Sequence, residues 1–306
     1  MPVYKKIRLI GSGSFGKAYL VKDKANENNV YVMKLIDISQ MDKRMKEDAF
    51  NEAKVLASLK AHPYIVRYHQ SYIYENHLCI IMDFAAGGDM SARIREQKRL
   101  GKRFEEATIR RWITQACLGL KYLHRMHILH RDLKPQNLFL SANDDLMIGD
   151  FGIAKVLESP AACAQTTIGT PYYLSPELCK GEKYSLPADI WSLGCILYEL
   201  ATFTVPFHAS DLRGLVDAIS SLPIPAMPPV YSDELRQLCD EMLTRNPRRR
   251  LTVDQILQRP LIRAEIAKLI ERSKARRVDS KETFTSSPTA ATTSHRKPPG
   301  VQISSV

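Results

Sequence analysis

Apolar and polar residues alternate through KKIRLI, KAYLVKD and VYVMKLI, and a more continuous apolar run follows in HLCIIMDF. Alternation at a period of two marks half-buried strands, so the first 82 residues predict a small sheet, with an Asn-rich turn around 26–29. One helix interrupts it. In KRMKEDAFNEAKVLASLK, Met45, Glu52, Leu56 and Leu59 recur at helical spacing, which sets a carboxylate on the apolar stripe. From Thr108 onward the period changes to the helical one, in ATIRRWITQACLGLKYLH, ADIWSLGCILYELAT and DELRQLCDEML. Between the two regimes, NLFL and LMIG flank the turn SANDD and predict a short hairpin. The pattern is that of an α+β chain, a small strand-rich lobe followed by a larger helical one.

Composition narrows the reading. A chain of 306 residues with 44% hydrophobic and 25% charged positions can bury a large core, which excludes wholesale disorder, collagen and coiled coil. No apolar run approaches the ~18 residues of a membrane span, and the opening MPVYKKIRLIGSGS lacks the apolar stretch of a secretion signal. A soluble, intracellular protein is expected. Six cysteines, at 79, 117, 163, 179, 195 and 239, include no C-x-x-C pair and read as reduced structural thiols. The net charge is +11. The last 34 residues hold 7 Ser, 5 Thr and 3 Pro with few large apolar side chains, so a disordered basic tail is expected over 273–306. That tail contributes +4 and leaves +7 to the body, a spread excess that favours anionic partners without choosing among them.

Three polar clusters stand out against this background. The first is Ile10-Gly11-Ser12-Gly13-Ser14-Phe15-Gly16, in which G-x-G-x-x-G lets backbone amides approach phosphate oxygens. A dinucleotide fingerprint has the same spacing, and Asp37 even follows 21 residues after Gly16. That fingerprint needs a helix directly after the glycines, whereas residues 17–21 alternate like a strand, so a phosphate-covering hairpin is the better geometry. The second cluster is Lys34 in an otherwise apolar strand. A lone strand lysine usually faces water, but Glu52 on the stripe of the next helix offers the partner a desolvated ammonium needs, and the pair would clamp nucleotide phosphates.

The third cluster is His130-Arg131-Asp132-Leu133-Lys134-Pro135-Gln136-Asn137, a dense polar loop between apolar stretches. Pro135 argues against a helix there. The hairpin that follows returns the chain to its start and brings Asp150 beside Asn137, two oxygen donors suited to magnesium with phosphates and water. Asp132 is placed to accept a proton from an attacking hydroxyl.

The G-x-G-x-F-G loop, Lys34, Glu52, HRDLKPQN, Asp150-Phe151-Gly152 and Ser175-Pro176-Glu177, in this order, resemble a eukaryotic protein kinase over residues 4 to about 262. The run GTPYYLSPELCKGEKYSLPADIWSLGCILYEL, with DFGIAK and GGDM, is most similar to the NIMA-related (Nek) serine/threonine kinases. The resemblance implies a bilobal fold with an N-lobe over 1–82, a hinge over 83–88 and a C-lobe over 89–272. It implies ATP and Mg2+ as cofactors, with Mn2+ as a substitute. By it, residues 11–16 cover the phosphates, Lys34 holds the alpha and beta phosphates, Glu52 orients it, Asp132 is the base, Lys134 neutralises the transferring phosphoryl, and Asn137 and Asp150 hold the metal. Met82 guards the adenine pocket, Asp83 and Ala85 pair with the base through their backbones, and Phe139 is its floor. Asp89 is either a ribose contact or a helix cap.

Two positions depart from the general pattern: Ala18 stands for Val and Val32 for Ala, opposite volume changes over the adenine ceiling. Leu56, Tyr68, His130 and Phe151 match the apolar column that aligns the lobes. Glu177 with Arg250, and Asp189, are expected as buried structural charges, while Arg248 and Arg249 read as solvated. Within the 28-residue segment 150–177, Thr166 matches the phosphorylated position, Thr167 is second choice, and Arg131 would pair with the phosphate. Implied partners are proteins presenting Ser or Thr, with cytoskeletal, centrosomal or ciliary associations and a cell-cycle role by family analogy. Nucleic acid is not expected, since Phe284 is the one Phe, Tyr or Trp in the tail, nor is a membrane. A monomer is the default because no coiled coil follows, and a cytoplasmic location is expected, with nuclear or cytoskeletal association as alternatives.

Overall fold

The computed structural model describes residues 3–13, 16–150 and 171–285, apart from the side chains of 13, 44, 48, 52 and 277–285. Strands β1 (Tyr4–Gly13), β2 (Gly16–Asp23), β3 (Val30–Asp37), β4 (Tyr68–Tyr74) and β5 (His77–Asp83) form one antiparallel sheet in the order β1-β2-β3-β5-β4. Period-two alternation gives the sheet two faces. Tyr4, Val21, Met33, Cys79 and Ile81 close a small core on one, and Ile36, Leu78 and Ile80 join the main core on the other.

Helix α1 (Lys43–Ser58) starts at Asp42, whose carboxylate accepts the Met45 N–H at 2.7 Å. Its buried face is Ala49, Ala53 and Leu56. Met45, expected on that stripe, is exposed. The chain then crosses between lobes: Val66 N–H donates to Ile148 O at 2.8 Å, and Ile148 N–H to Tyr64 O at 2.9 Å.

The second lobe contains α2 (Met90–Arg99), α3 (Glu106–Arg125), a 3-10 turn (Pro135–Asn137), the hairpin β6 (Leu138–Leu140) and β7 (Leu146–Ile148), then α4 (Pro176–Cys179), α5 (Leu186–Thr202), α6 (Leu212–Ser221), α7 (Asp233–Met242), α8 (Val253–Gln258) and α9 (Pro260–Thr285). Helix α5 is apolar nearly all round, and such a helix must be central. Trp191, Leu193, Ile196, Leu197 and Leu200 within it are almost wholly buried. Fully burying each such side chain contributes roughly 1.5–3 kcal/mol before entropy is counted.

Helix α9 runs on past residue 273, where composition suggested that order ends. Glu265, buried to 2% exposure, pairs with Arg110 of α3 at 3.2 Å, Leu269 is buried, and Arg276 reaches Asp145 at 2.5 Å. These anchors hold a segment whose overall composition is polar. Residues 286–306 lie outside the described residues. No helix among the described residues is long and apolar enough to cross a membrane.

Candidate active site

The glycine-rich segment is the β1–β2 hairpin: Gly11 faces Ala18, Ser12 faces Lys17 and Gly13 faces Gly16. Gly16 has φ +126°, and a Cβ there would stand 1.8 Å from Leu35 O, so this position admits only glycine. Ser14 and Phe15 lie outside the described residues. The strand after Gly16 settles the choice of geometry: a hairpin follows the glycines, not a helix.

Register then places Lys34 between Ala18 on β2 and Ile80 on β5, on the face opposite Val21, Met33 and Ile81. Val32 lies two residues away on that face, opposite Met82. Ala18, Val32 and Met82 are all half-buried. The Lys34 ammonium forms an ion pair with the Asp150 carboxylate. Glu52 sits on α1 one residue before the buried Ala53, and the expected Lys34–Glu52 contact rests on a side chain outside the described residues.

The loop at 130–137 is built on a buried carboxylate. Asp189, fully buried in α5, accepts the backbone N–H of His130 at 3.1 Å and of Arg131 at 3.2 Å. It also accepts Tyr184 OH at 2.7 Å and faces His124 Nε2 at 2.9 Å. Burial alone would raise its pKa, but these partners outweigh burial and hold the carboxyl below its ordinary value. His130 is buried and its pKa is lowered, chiefly by desolvation. Its Nδ1 accepts the Asp132 N–H at 3.3 Å, so Nε2 carries the proton and donates to Gly149 O at 3.1 Å. Arg131 and Asp150 both have positive φ, 66° and 48°, strain of order 1 kcal/mol or more that persists where the surroundings over-determine it.

Asp132 and Asn137 are joined directly. Asn137 Nδ2 donates to Asp132 O at 2.7 Å and to Asp132 Oδ2 at 2.9 Å, which assigns the amide and turns its oxygen away from Asp132. Lys134 Nζ lies 2.7 Å from Asp132 Oδ2. Pro135 opens a single 3-10 turn, the one helical use a proline allows here. The hairpin then brings the chain back: Leu138 faces Ile148, and Gly149 N–H donates to Asn137 O at 3.0 Å, so Asp150 follows beside Asn137.

Below β5, Phe139 on β6 bridges to Asp89, and Gly87 N–H donates to Leu140 O at 2.8 Å. A Cβ at Gly87 would come within 2.8 Å of Leu140 and Ser141, so glycine lets 83–88 lie tight against the β6 strand. Ala85 is buried. Asp89 accepts the Ala92 N–H at 2.8 Å, so its carboxylate caps α2, the plainer of its two readings.

Segment 171–177 packs on α5. Ser192 Oγ donates to Tyr173 O at 2.9 Å, and Tyr173 OH donates to Glu199 Oε2 at 2.6 Å. Burial raises the pKa of Glu199. Glu177 and Arg250 form a bidentate pair at 2.7 and 2.8 Å, both buried, while Arg248 and Arg249 are exposed. Leu56 and His130 of the expected column are buried and Tyr68 packs against the core; Phe151, Thr166, Thr167 and Cys163 lie outside the described residues. Sequence reasoning missed His124 and Tyr184 as anchors of Asp189, since nothing in a linear pattern links residues 65 and 5 positions away through one carboxylate.

The protein kinase domain family matches residues 4–262. The chain is 45% identical over 270 residues to the serine/threonine-protein kinase Nek1 of Mus musculus, which covers 88% of this chain and 22% of that protein. It is 42% identical over 274 residues to Nek4 of Mus musculus, 89% of this chain and 34% of the relative. Against Nek3 of Mus musculus it is 42% identical over 259 residues, 85% of this chain and 49% of the relative. The chain thus spans between about a fifth and a half of the length of these relatives. With the domain match covering most of its length, the chain belongs to the protein kinase family and groups there with the Nek serine/threonine kinases.

Proposed function

We propose that the protein transfers the gamma-phosphoryl of ATP to Ser or Thr hydroxyls of protein substrates. The observation that carries this reading is the convergence of Lys34 from the strand-rich lobe with Asp150, Asn137, Asp132 and Lys134 from the helical one. In this reading Ile10 and the amides of 11–16 cover the nucleotide and its phosphates, and Lys34 holds the alpha and beta phosphates with Glu52 orienting it. Met82, Ala18 and Val32 enclose adenine above Phe139, and the backbones of Asp83 and Ala85 pair with its edge. Asp132 accepts the substrate hydroxyl proton, and Lys134, already beside it, neutralises charge on the moving phosphoryl.

The protein kinase family uses ATP with a divalent metal, and the donor set here suits one. Asn137 has its amide oxygen turned from Asp132, and Asp150 brings a carboxylate next to it, the sparse oxygen set that magnesium takes together with phosphates and water. Mn2+ is accepted by the same chemistry. Bound there, the ion would neutralise phosphate charge. Asn137 in turn orients the base through its two hydrogen bonds to Asp132.

Phosphorylation of Thr166, with Thr167 as second choice, would offer Arg131 a charge-assisted partner next to the base. Cell-cycle and cytoskeletal, centrosomal or ciliary roles, and a cytoplasmic location, are proposed on the NIMA-related resemblance of the sequence alone. The test is a labelled-ATP assay on a degenerate peptide library. Transfer to Ser and Thr peptides is expected, with Thr166→Ala slower; label on Tyr alone, or on no peptide, would overturn the reading.

A further inference from the structure

Strand β4 carries a bulge at the point nearest the hinge. Tyr68 faces Met82 and Gln70 faces Ile81, so His69 has no position of its own in the ladder. Bulges re-aim a side chain, often beside functional sites. Here the extra residue sends its imidazole to the end of β5, where Nε2 lies 2.6 Å from Asp83 Oδ1. The backbone of Asp83 is tied to the same strand, its N–H donating to Arg67 O at 2.9 Å.

An ordinary surface pair would matter little, since two mobile side chains lose entropy in meeting. His69 is not mobile in that sense. Its ring stands edge-on to Tyr31 at 4.7 Å, Tyr31 meets Tyr4 at 5.8 Å, and Gln70 donates to Tyr4 OH at 2.7 Å. This bracket crosses β1, β3 and β4, and its cost of orientation is met when the sheet folds. It ends on the residue that precedes Phe84 and Ala85, the stretch whose backbone is assigned to adenine.

We infer that His69 is a positioning residue for nucleotide: through the Asp83 carboxylate it fixes the peptide orientation at 83–85. This rests on the proposed function, since it presumes that the hinge receives adenine. Two variants separate the donor from the ring. His69→Phe keeps the edge contact with Tyr31 and removes the donor, while His69→Gln keeps a donor of similar reach.

The measurements are KM for ATP, kcat on a Ser/Thr peptide, and the Kd of ADP by calorimetry. His69→Phe is expected to raise KM and Kd about three- to tenfold, the scale of one partly exposed charge-assisted hydrogen bond, with kcat within about twofold. His69→Gln is expected to recover most of the loss. Unchanged Kd in His69→Phe would overturn the inference, as would equal losses of kcat and affinity in both variants with lowered melting, which is a structural role alone. Failure of the wild type to bind ADP at all would instead sink the proposed function.

Discussion

Gly16 occupies a backbone conformation that side chains rarely adopt, and its missing Cβ is space that Leu35 O uses. Gly16→Ala is therefore expected to lower stability by about 3 kcal/mol or more, combining strain at positive φ with a backbone clash. An unchanged denaturation midpoint would contradict the hairpin's geometry. Glu177 and Arg250 are the other residue-scale lever. Arg250 also donates to the carbonyls of Thr244, Pro187 and Arg245 and lies 5.1 Å from the Trp191 ring, so its charge has no route to water. Glu177→Gln leaves that charge uncompensated and is expected to cost about 3–5 kcal/mol, measured by urea unfolding. An unfolding midpoint unchanged by Glu177→Gln would reject the pairing argument.

Elements show where sequence was readable and where it was not. The three N-terminal strands, the glycine hairpin and the β6–β7 hairpin announced themselves through period and turn chemistry, which are local properties. Strand β4, YHQSYIY, did not, because its bulge breaks the alternation and its polar residues serve contacts with other strands. The ion pair of Lys34 with Asp150 joins residues 116 apart and depends on how the lobes meet, so no linear pattern offered it. The boundary at 273 was misjudged for a related reason: composition there averages as polar, while α9 continues through it and Arg276 meets Asp145 on another element. Helix α9 thus belongs to the folded unit. Ending the chain at 262 is expected to cost about 2–4 kcal/mol through lost apolar burial and the lost pairing of Arg110 with Glu265, whereas ending it at 280 should leave the urea midpoint unchanged. Equal midpoints for the two truncations would refute this.

At the scale of the whole molecule, the two lobes are joined where histidines are held neutral. His62 stacks on Tyr122 at 5.1 Å, its Nδ1 accepts the Tyr64 N–H at 3.2 Å, and desolvation lowers its pKa. His130 has the same requirement at Nδ1 and is likewise lowered by burial. Below about pH 6.5 the unfolded chain binds protons at these positions more readily than the folded one, so stability falls on acidification. Asp189, held below its ordinary value, adds a second decline as pH falls below the usual aspartate range. Urea unfolding between pH 7.5 and 5.5 should show the first decline; a flat profile would contradict the neutral assignment of both rings.

The joined lobes bring Lys34 to Asp150 and set Asp150 beside Asn137 and Asp132, and phosphoryl transfer is what that arrangement is claimed to do. Single-turnover transfer of labelled gamma-phosphoryl from ATP to a threonine peptide tests it most directly, with wild-type and Asp132→Ala protein run at equal bound nucleotide. The expected result is labelled phosphothreonine from the wild type and a rate roughly 10²–10⁴ lower from Asp132→Ala, the usual share of a general base. Equal rates from the two proteins, or no labelled threonine from a wild type that binds ATP, would contradict it.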